Sequence, residues 1–145
     1  MLLTTGEKWT EKFPPMPAKR WLTAVVCSGR SVVVAGGLGE GFKYLSIVEV
    51  MDTETPQWFT ASSLPHPLFE ATATLCGDQV YMLGGFYQRK YSKSVFTCLL
   101  VALLQSKSGS LGARMKTLSL ASGPKVWHQL ADTPVTHSTC ASLHG

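Results

Sequence analysis

Apolar and polar positions along the chain fall into short β-type runs punctuated by turn residues, and the runs recur. The apolar runs Ser31-Val32-Val33-Val34-Ala35 and Gln79-Val80-Tyr81-Met82-Leu83 each end in a glycine doublet, Gly36-Gly37 and Gly84-Gly85, spaced 48 residues apart. The turns before them, Gly29-Arg30 and Gly77-Asp78, keep the same spacing, as do Met16-Pro17 and Leu64-Pro65 further upstream. Trp9 and Trp58 follow one residue out of step, and a third copy starts at Trp127. A fixed period of this length marks a repeat architecture, each copy being one supersecondary unit.

Each unit reads as four strands separated by turn chemistry. Strand a is predicted over residues 21–27, 70–76 and 136–143, and strand b is the run that ends in Gly-Gly. Strand c is predicted over 45–51 and 95–101, and strand d over 9–13, 58–60 and 127–130. Strands a and b are apolar at successive positions, so both faces of each sheet are expected to be covered. Asp52-Thr53-Glu54-Thr55 reads as the turn between c and d.

The glycine doublets, the Trp downstream of each and the period resemble the kelch repeat, one four-stranded β-propeller blade per copy. Gly36, Gly37, Asp52, Trp58, Gly84, Gly85 and Trp127 carry the likeness. Met51-Asp52 stands where the family usually has Tyr-Asp, and the second unit lacks that Asp. Its Trp is also delayed, 69 residues separating Trp58 from Trp127 against 49 between Trp9 and Trp58. The implied fold is all-β, an incomplete ring of kelch-type propeller blades built from antiparallel sheets. The chain divides into strand d of a preceding blade (8–13), a blade over 14–60, a blade over 64–130 with an insertion over 105–125, and the start of another blade over 134–145. Closed propellers use about four to eight blades. The chain is therefore expected to be a fragment of a longer protein, and to be oligomeric or poorly soluble alone.

Composition narrows the function classes. Of 145 residues, 45% are hydrophobic and 15% charged, with Gly 13 and Pro 8, which suits a packed β domain and neither a disordered chain nor a helix bundle. No apolar run approaches the roughly 18 residues of a membrane helix, and no leader pattern opens the sequence. The formal charge of +4 is concentrated at Lys107, Arg114, Lys116 and Lys125, in a Ser/Gly-rich stretch without acids. Nucleic-acid and membrane partners are not expected from a charge held in one loop. Thr117 and Ser119 follow Arg114 and Lys116 in a context that basophilic kinases accept, so both are candidate phosphorylation sites.

Candidate chemistry is sparse. Cys27, Cys76, Cys98 and Cys140 are expected to be buried free thiols, which suits a reducing, cytoplasmic location. His137, Cys140 and His144 cannot converge on a metal if they lie in one strand, because side chains alternate faces. Gly36-Gly37-Leu38-Gly39-Glu40-Gly41 lacks the Gly-Lys-Ser/Thr of a phosphate loop, and no nucleophile motif occurs. Neither cofactor, metal nor catalytic residue is assigned, and the chain is not expected to be an enzyme. The alternative from another class is part of a kelch-fold enzyme of the oxidase or sugar-epimerase type.

Antiparallel order places the d–a and b–c loops of every blade on one face. Arg20, Trp21, Phe42, Lys43, Arg89, Lys90 and Tyr91 lie there, with Tyr44, Phe69, Phe86 and Tyr87 in or beside the same loops. Arginine among aromatics is the composition of protein-binding hot spots. These residues are the expected docking surface for a protein partner, with Arg20, Arg89 and Tyr91 as anchors for an acidic or polar peptide segment. Kelch relatives commonly contact partners through this loop set, as ubiquitin-ligase substrate adaptors joined to BTB or F-box domains or as cytoskeletal scaffolds. No such companion domain occurs in these 145 residues, so a ligase role is analogy from fold.

Overall fold

A computed structural model describes residues 12–105, 126–130 and 132. Two four-stranded antiparallel sheets dominate it. The first is a meander of β2 (Ala24–Ser28), β3 (Ser31–Ala35), β5 (Val48–Asp52) and β6 (Gln57–Ala61). The second repeats that order with β7 (Phe69–Cys76), β8 (Gln79–Tyr87), β10 (Val95–Leu99) and β11 (His128–Gln129). Short strands decorate one end: β1 (Arg20–Trp21) pairs with β4 (Leu38–Gly39), and β9 (Lys90–Tyr91) pairs back onto β8. The described residues thus form two all-β, kelch-like blades and no closed ring.

The registers are repeats of one another. Val33 lies between Val26 and Val50 in the first sheet, and its equivalent Tyr81 lies between Thr74 and Thr97 in the second. The sheets pack face to face. Ala24, Val26, Val33, Ala35, Val48 and Val50 of the first sheet join Ala71, Ala73, Val80, Met82, Phe96 and Cys98 of the second in one core. Removing each larger side chain of that set from water stabilises the fold by about 1.5–3 kcal/mol. The core is sealed by Leu64 and Leu68, from the segment that links the two sheets.

Coverage of both faces, expected from the apolar runs, is met in β3 and β5, where Val34, Glu49 and Met51 are buried on one face as Val33, Val48 and Val50 are on the other, and is not met in β2. In β2 burial alternates, so Val25 is 47% exposed and Cys27 is exposed while Ala24 and Val26 are buried. Cys27 and Cys76 are therefore not the buried thiols expected from sequence. Cys27 points to the outer face and Cys76 ends β7 at the turn, which leaves both in solvent. Cys98 is buried, and burial pushes its thiol up to about 12. With N-ethylmaleimide, peptide mapping should find Cys27 and Cys76 labelled first and Cys98 protected until the chain unfolds. Early labelling of Cys98 would contradict this packing.

The glycine doublets are where one sheet meets the link to the next. Gly36 has φ +64, and a Cβ on it would fall inside contact distance of the Leu68 carbonyl oxygen. Gly37 N–H donates to that same oxygen at 2.7 Å. Gly36 N–H donates to Ile47 O at 3.0 Å, and Gly84 N–H donates to Ser94 O at 3.1 Å in the equivalent bond. Trp58 donates its indole N–H to Pro14 O at 2.9 Å, and Trp127 donates its own to Ser62 O at 3.1 Å. Pro14 and Ser62 are one repeat apart. Each outer-strand Trp thus ties its blade to the link that enters it.

At the opposite end, Thr53 N–H donates to Arg30 O at 2.8 Å, and Leu100 N–H donates to Asp78 O at 2.9 Å. Asp52 Oδ1 accepts from the N–H groups of Glu54 and Thr55, at 2.9 and 3.3 Å, which closes the c–d turn of the first blade. The second blade has no Asp there and departs from expectation. Strand c was expected to reach Val101, but β10 stops at Leu99 and α1 (Leu100–Leu104) follows. With no turn residue to send the chain back, Leu-Val-Ala-Leu-Leu follows its helical preference and buries Leu103 completely. Residues 106–125, holding Thr117 and Ser119, lie outside the described residues, as do His137, Cys140, His144 and the strand expected over 136–143. Of the strand expected over 9–13, Lys12 and Phe13 are described and are not strand. No helix among the described residues is long and apolar enough to cross a membrane.

Candidate functional site

The face carrying the d–a and b–c loops is built by two short pairings. The β1–β4 pairing sets Arg20 opposite Gly39 and Trp21 opposite Leu38, which pins the entering link to the b–c loop of the same blade. Glu40–Phe42 then forms a single 3-10 turn, closed by Gly39 N–H donating to Lys43 O at 2.8 Å. Phe42 sits at φ +57 with its ring 74% exposed. A bulky residue held in the left-handed region costs on the order of 1–2 kcal/mol, and such positions cluster at ligand sites. Trp21 meets Phe42 edge to face at 5.9 Å, with Trp21 itself 45% exposed.

In the second blade the b–c connection is a tight hairpin. Tyr87 pairs with Lys90 across a two-residue loop, Gln88-Arg89, with φ +49 and +64. That is the sign pattern of a type I′ turn, which favours Asn-Gly. Here two long side chains occupy it, and Arg89 is thrust to the tip. Phe86 pairs with Tyr91 one step back, and their rings meet at 5.1 Å.

Four rings run from one blade to the other across this face. Tyr44 and Phe69 lie 5.1 Å apart, as do Phe69 and Phe86, and Phe86 and Tyr91. Phe69 is buried at the middle, and the two tyrosines at the ends are 42% and 50% exposed, Tyr44 and Tyr91 respectively. The loops that carry the row also carry the exposed cations Lys19, Lys43, Arg89, Lys90 and Lys93, with the acids Glu40 in the b–c loop of the first blade and half-buried Glu70 next to Phe69. The arrangement offers flat apolar surface with positive charge at its rim. It suits an anionic chain segment bearing a hydrophobic side chain, since aromatic anchors supply contact area and cations select the partner.

The structure sorts the expected anchors. Trp21, Phe42, Lys43, Arg89, Lys90 and Tyr91 all lie on this face with exposed side chains. Arg20 does not. Its side chain is fully buried, ion-paired with Glu49, and its Nη1 donates to Gly36 O at 3.2 Å and Ile47 O at 3.0 Å. It fastens the sheet instead of meeting a partner. Tyr87 also turns away, stacking on His66 at 4.0 Å while His66 meets the buried Phe96 at 5.1 Å. Tyr44, Phe69 and Phe86 are the residues sequence reasoning underrated. The available signal was that Phe69 and Phe86 sit opposite one another in adjacent strands.

The molecule is defined by its sheets as an all-β assembly of kelch-like, four-stranded blades. No family model matches the chain. Beta-scruin of Limulus polyphemus is 27% identical to it over 88 residues, which is 61% of this chain and 10% of beta-scruin. The chain thus spans about a tenth of that relative's length.

Proposed function

We propose that this chain is a protein-interaction module of kelch-repeat type that holds an acidic peptide segment of its partner on the loop face. The observation that carries the reading is the aromatic row from Tyr44 to Tyr91, exposed at its ends and rimmed by Lys43, Arg89 and Lys90. The similarity to beta-scruin and the blade architecture support the repeat-module part of it. Binding, with no chemistry of its own, is the whole task of the face. The free thiols of Cys27, Cys76 and Cys98 support a reducing, cytoplasmic setting.

A phage-displayed peptide library panned on the full chain tests this. Enrichment of Asp/Glu-rich sequences containing an apolar or aromatic residue is the expected outcome. Binding of a synthetic peptide from that pool should weaken at least about tenfold in Tyr91→Ala and in Arg89→Glu. It should also weaken as salt rises through the physiological range. Enriched peptides lacking acids, or affinities that neither substitution moves, would overturn the assignment.

A further inference from the structure

We propose that Ser92 is a phosphorylation site of basophilic protein kinases, and that its phosphate switches off the docking of an acidic segment on the loop face. The second half rests on the docking reading above. Arg89-Lys90-Tyr91-Ser92 places cations three and two residues before a hydroxyl, the spacing such kinases read. The fold presents both cations. Arg89 is exposed at the tip of the hairpin, and Lys90 is exposed in β9. Arg20-Trp21-Leu22-Thr23 has the same arginine spacing, and there the fold withholds it, because the Arg20 side chain is fully buried and ion-paired with Glu49. Two matches that look alike in sequence are thus separated by burial.

The blade does not need a serine at this place. Ser92 N–H donates to Gly85 O at 2.7 Å, and the first blade makes the same bond from Leu45 N–H to Gly37 O at 3.0 Å. Leu45 fills space against Gly39, whereas Ser92 is half-buried and its Oγ accepts the Ser94 N–H at 3.0 Å. A phosphate there keeps that donor, since its charged oxygens are the stronger acceptors. Access needs little unfolding. Among the described residues β9 is two residues long and pairs with β8 alone, and its turn holds Gln88 and Arg89 in the left-handed region. So short and strained a pairing opens readily, presenting residues 89–93 as an extended segment. In the transfer, Ser92 Oγ bonds to the γ-phosphorus of ATP while the bond to the departing ADP oxygen breaks. The hydroxyl proton passes to the kinase's general base. The product carries a charge of about −1.5 to −2 in the loop that holds Arg89 and Lys90. It satisfies from within the chain the cations that an acidic partner would otherwise meet.

The experiment treats the full chain, carrying Thr117→Ala and Ser119→Ala so that those hydroxyls take no label, with ATP and the catalytic subunit of cyclic-AMP-dependent protein kinase. Peptide mapping should find a phosphoryl group on Ser92 and none on Thr23. Arg89→Ala should slow the labelling at least about tenfold. Fluorescence anisotropy then follows a fluorescein-labelled, Asp/Glu-rich peptide carrying one aromatic residue. Its affinity should fall at least about tenfold once Ser92 is phosphorylated. Ser92→Ala, treated identically, should bind as the untreated chain does. A folded chain left unlabelled at Ser92, or labelled at Thr23 instead, overturns the site. A phosphorylated chain that holds the peptide as before overturns the switch. An untreated chain that ignores the peptide is a failure of the docking reading and takes the switch with it, while the label on Ser92 still decides the site.

Discussion

Arg20→Ala should destabilise the fold by about 3–5 kcal/mol, the cost of leaving a buried carboxylate without its partner. Glu49 is 3% exposed and would keep its desolvation while losing the guanidinium that neutralises it. The backbone oxygens of Gly36 and Ile47 would lose a donor at the same time. In urea the unfolding midpoint should fall by more than about 1 M. The second blade suggests the rescue. One repeat on from Arg20 stands Leu68, and the position matching Glu49, opposite Met82 as Glu49 is opposite Val34, is Phe96. Both are 1% exposed. The same place in the blade is thus filled once by an ion pair and once by two apolar side chains. Arg20→Leu combined with Glu49→Phe should recover most of the stability that either single change loses, since well-packed apolar replacement of a buried pair is often neutral or better. A midpoint unmoved by Arg20→Ala, or a double variant no better than its singles, would refute the coupling.

Gly36→Ala should be nearly as damaging, by more than about 3 kcal/mol, from overpacking added to left-handed backbone strain. The new methyl group would press on the Leu68 carbonyl oxygen, a backbone atom that cannot swing aside and that also accepts the Gly37 N–H. Gly29→Ala is the control. Gly29 has φ +51 but nothing within 4 Å of the added carbon, so the change should cost about 1–2 kcal/mol from strain alone. Urea unfolding of the two variants separates lack of space from backbone preference. Equal losses would mean that the close approach between blades does not matter.

The repeat was legible because its landmarks are residues whose physics leaves little choice. The glycine doublets mark a close approach between backbones, and each outer-strand Trp spans a fixed distance to a carbonyl. Strand ends were less legible. β3 stops before its doublet while β8 runs through Gly84-Gly85 to Tyr87, because the type I′ hairpin folds β9 back and prolongs the ladder. The helix after Leu99 was masked by an apolar run that suits strand and helix alike. Arg20 was misread because a cation beside a proline-rich link looks solvated, and its partner lies 29 residues away in sequence. The loop face was legible as composition. Its order, from Tyr44 through Phe69 and Phe86 to Tyr91, required the register that brings two blades side by side.

The indole bonds of Trp58 and Trp127 have a practical consequence. Their acceptors lie 44 and 65 residues upstream, yet the same bond forms in both blades. It thus forms across connections between strands c and d that differ in length between the two blades. Lengthening a closed loop even twofold costs only about 0.6 kcal/mol. A protease-cleavage sequence, an epitope or a small fluorescent reporter spliced after Gln105 should leave both sheets assembled, making the outer rim of the second blade a natural grafting port for tracking this chain without touching its loop face.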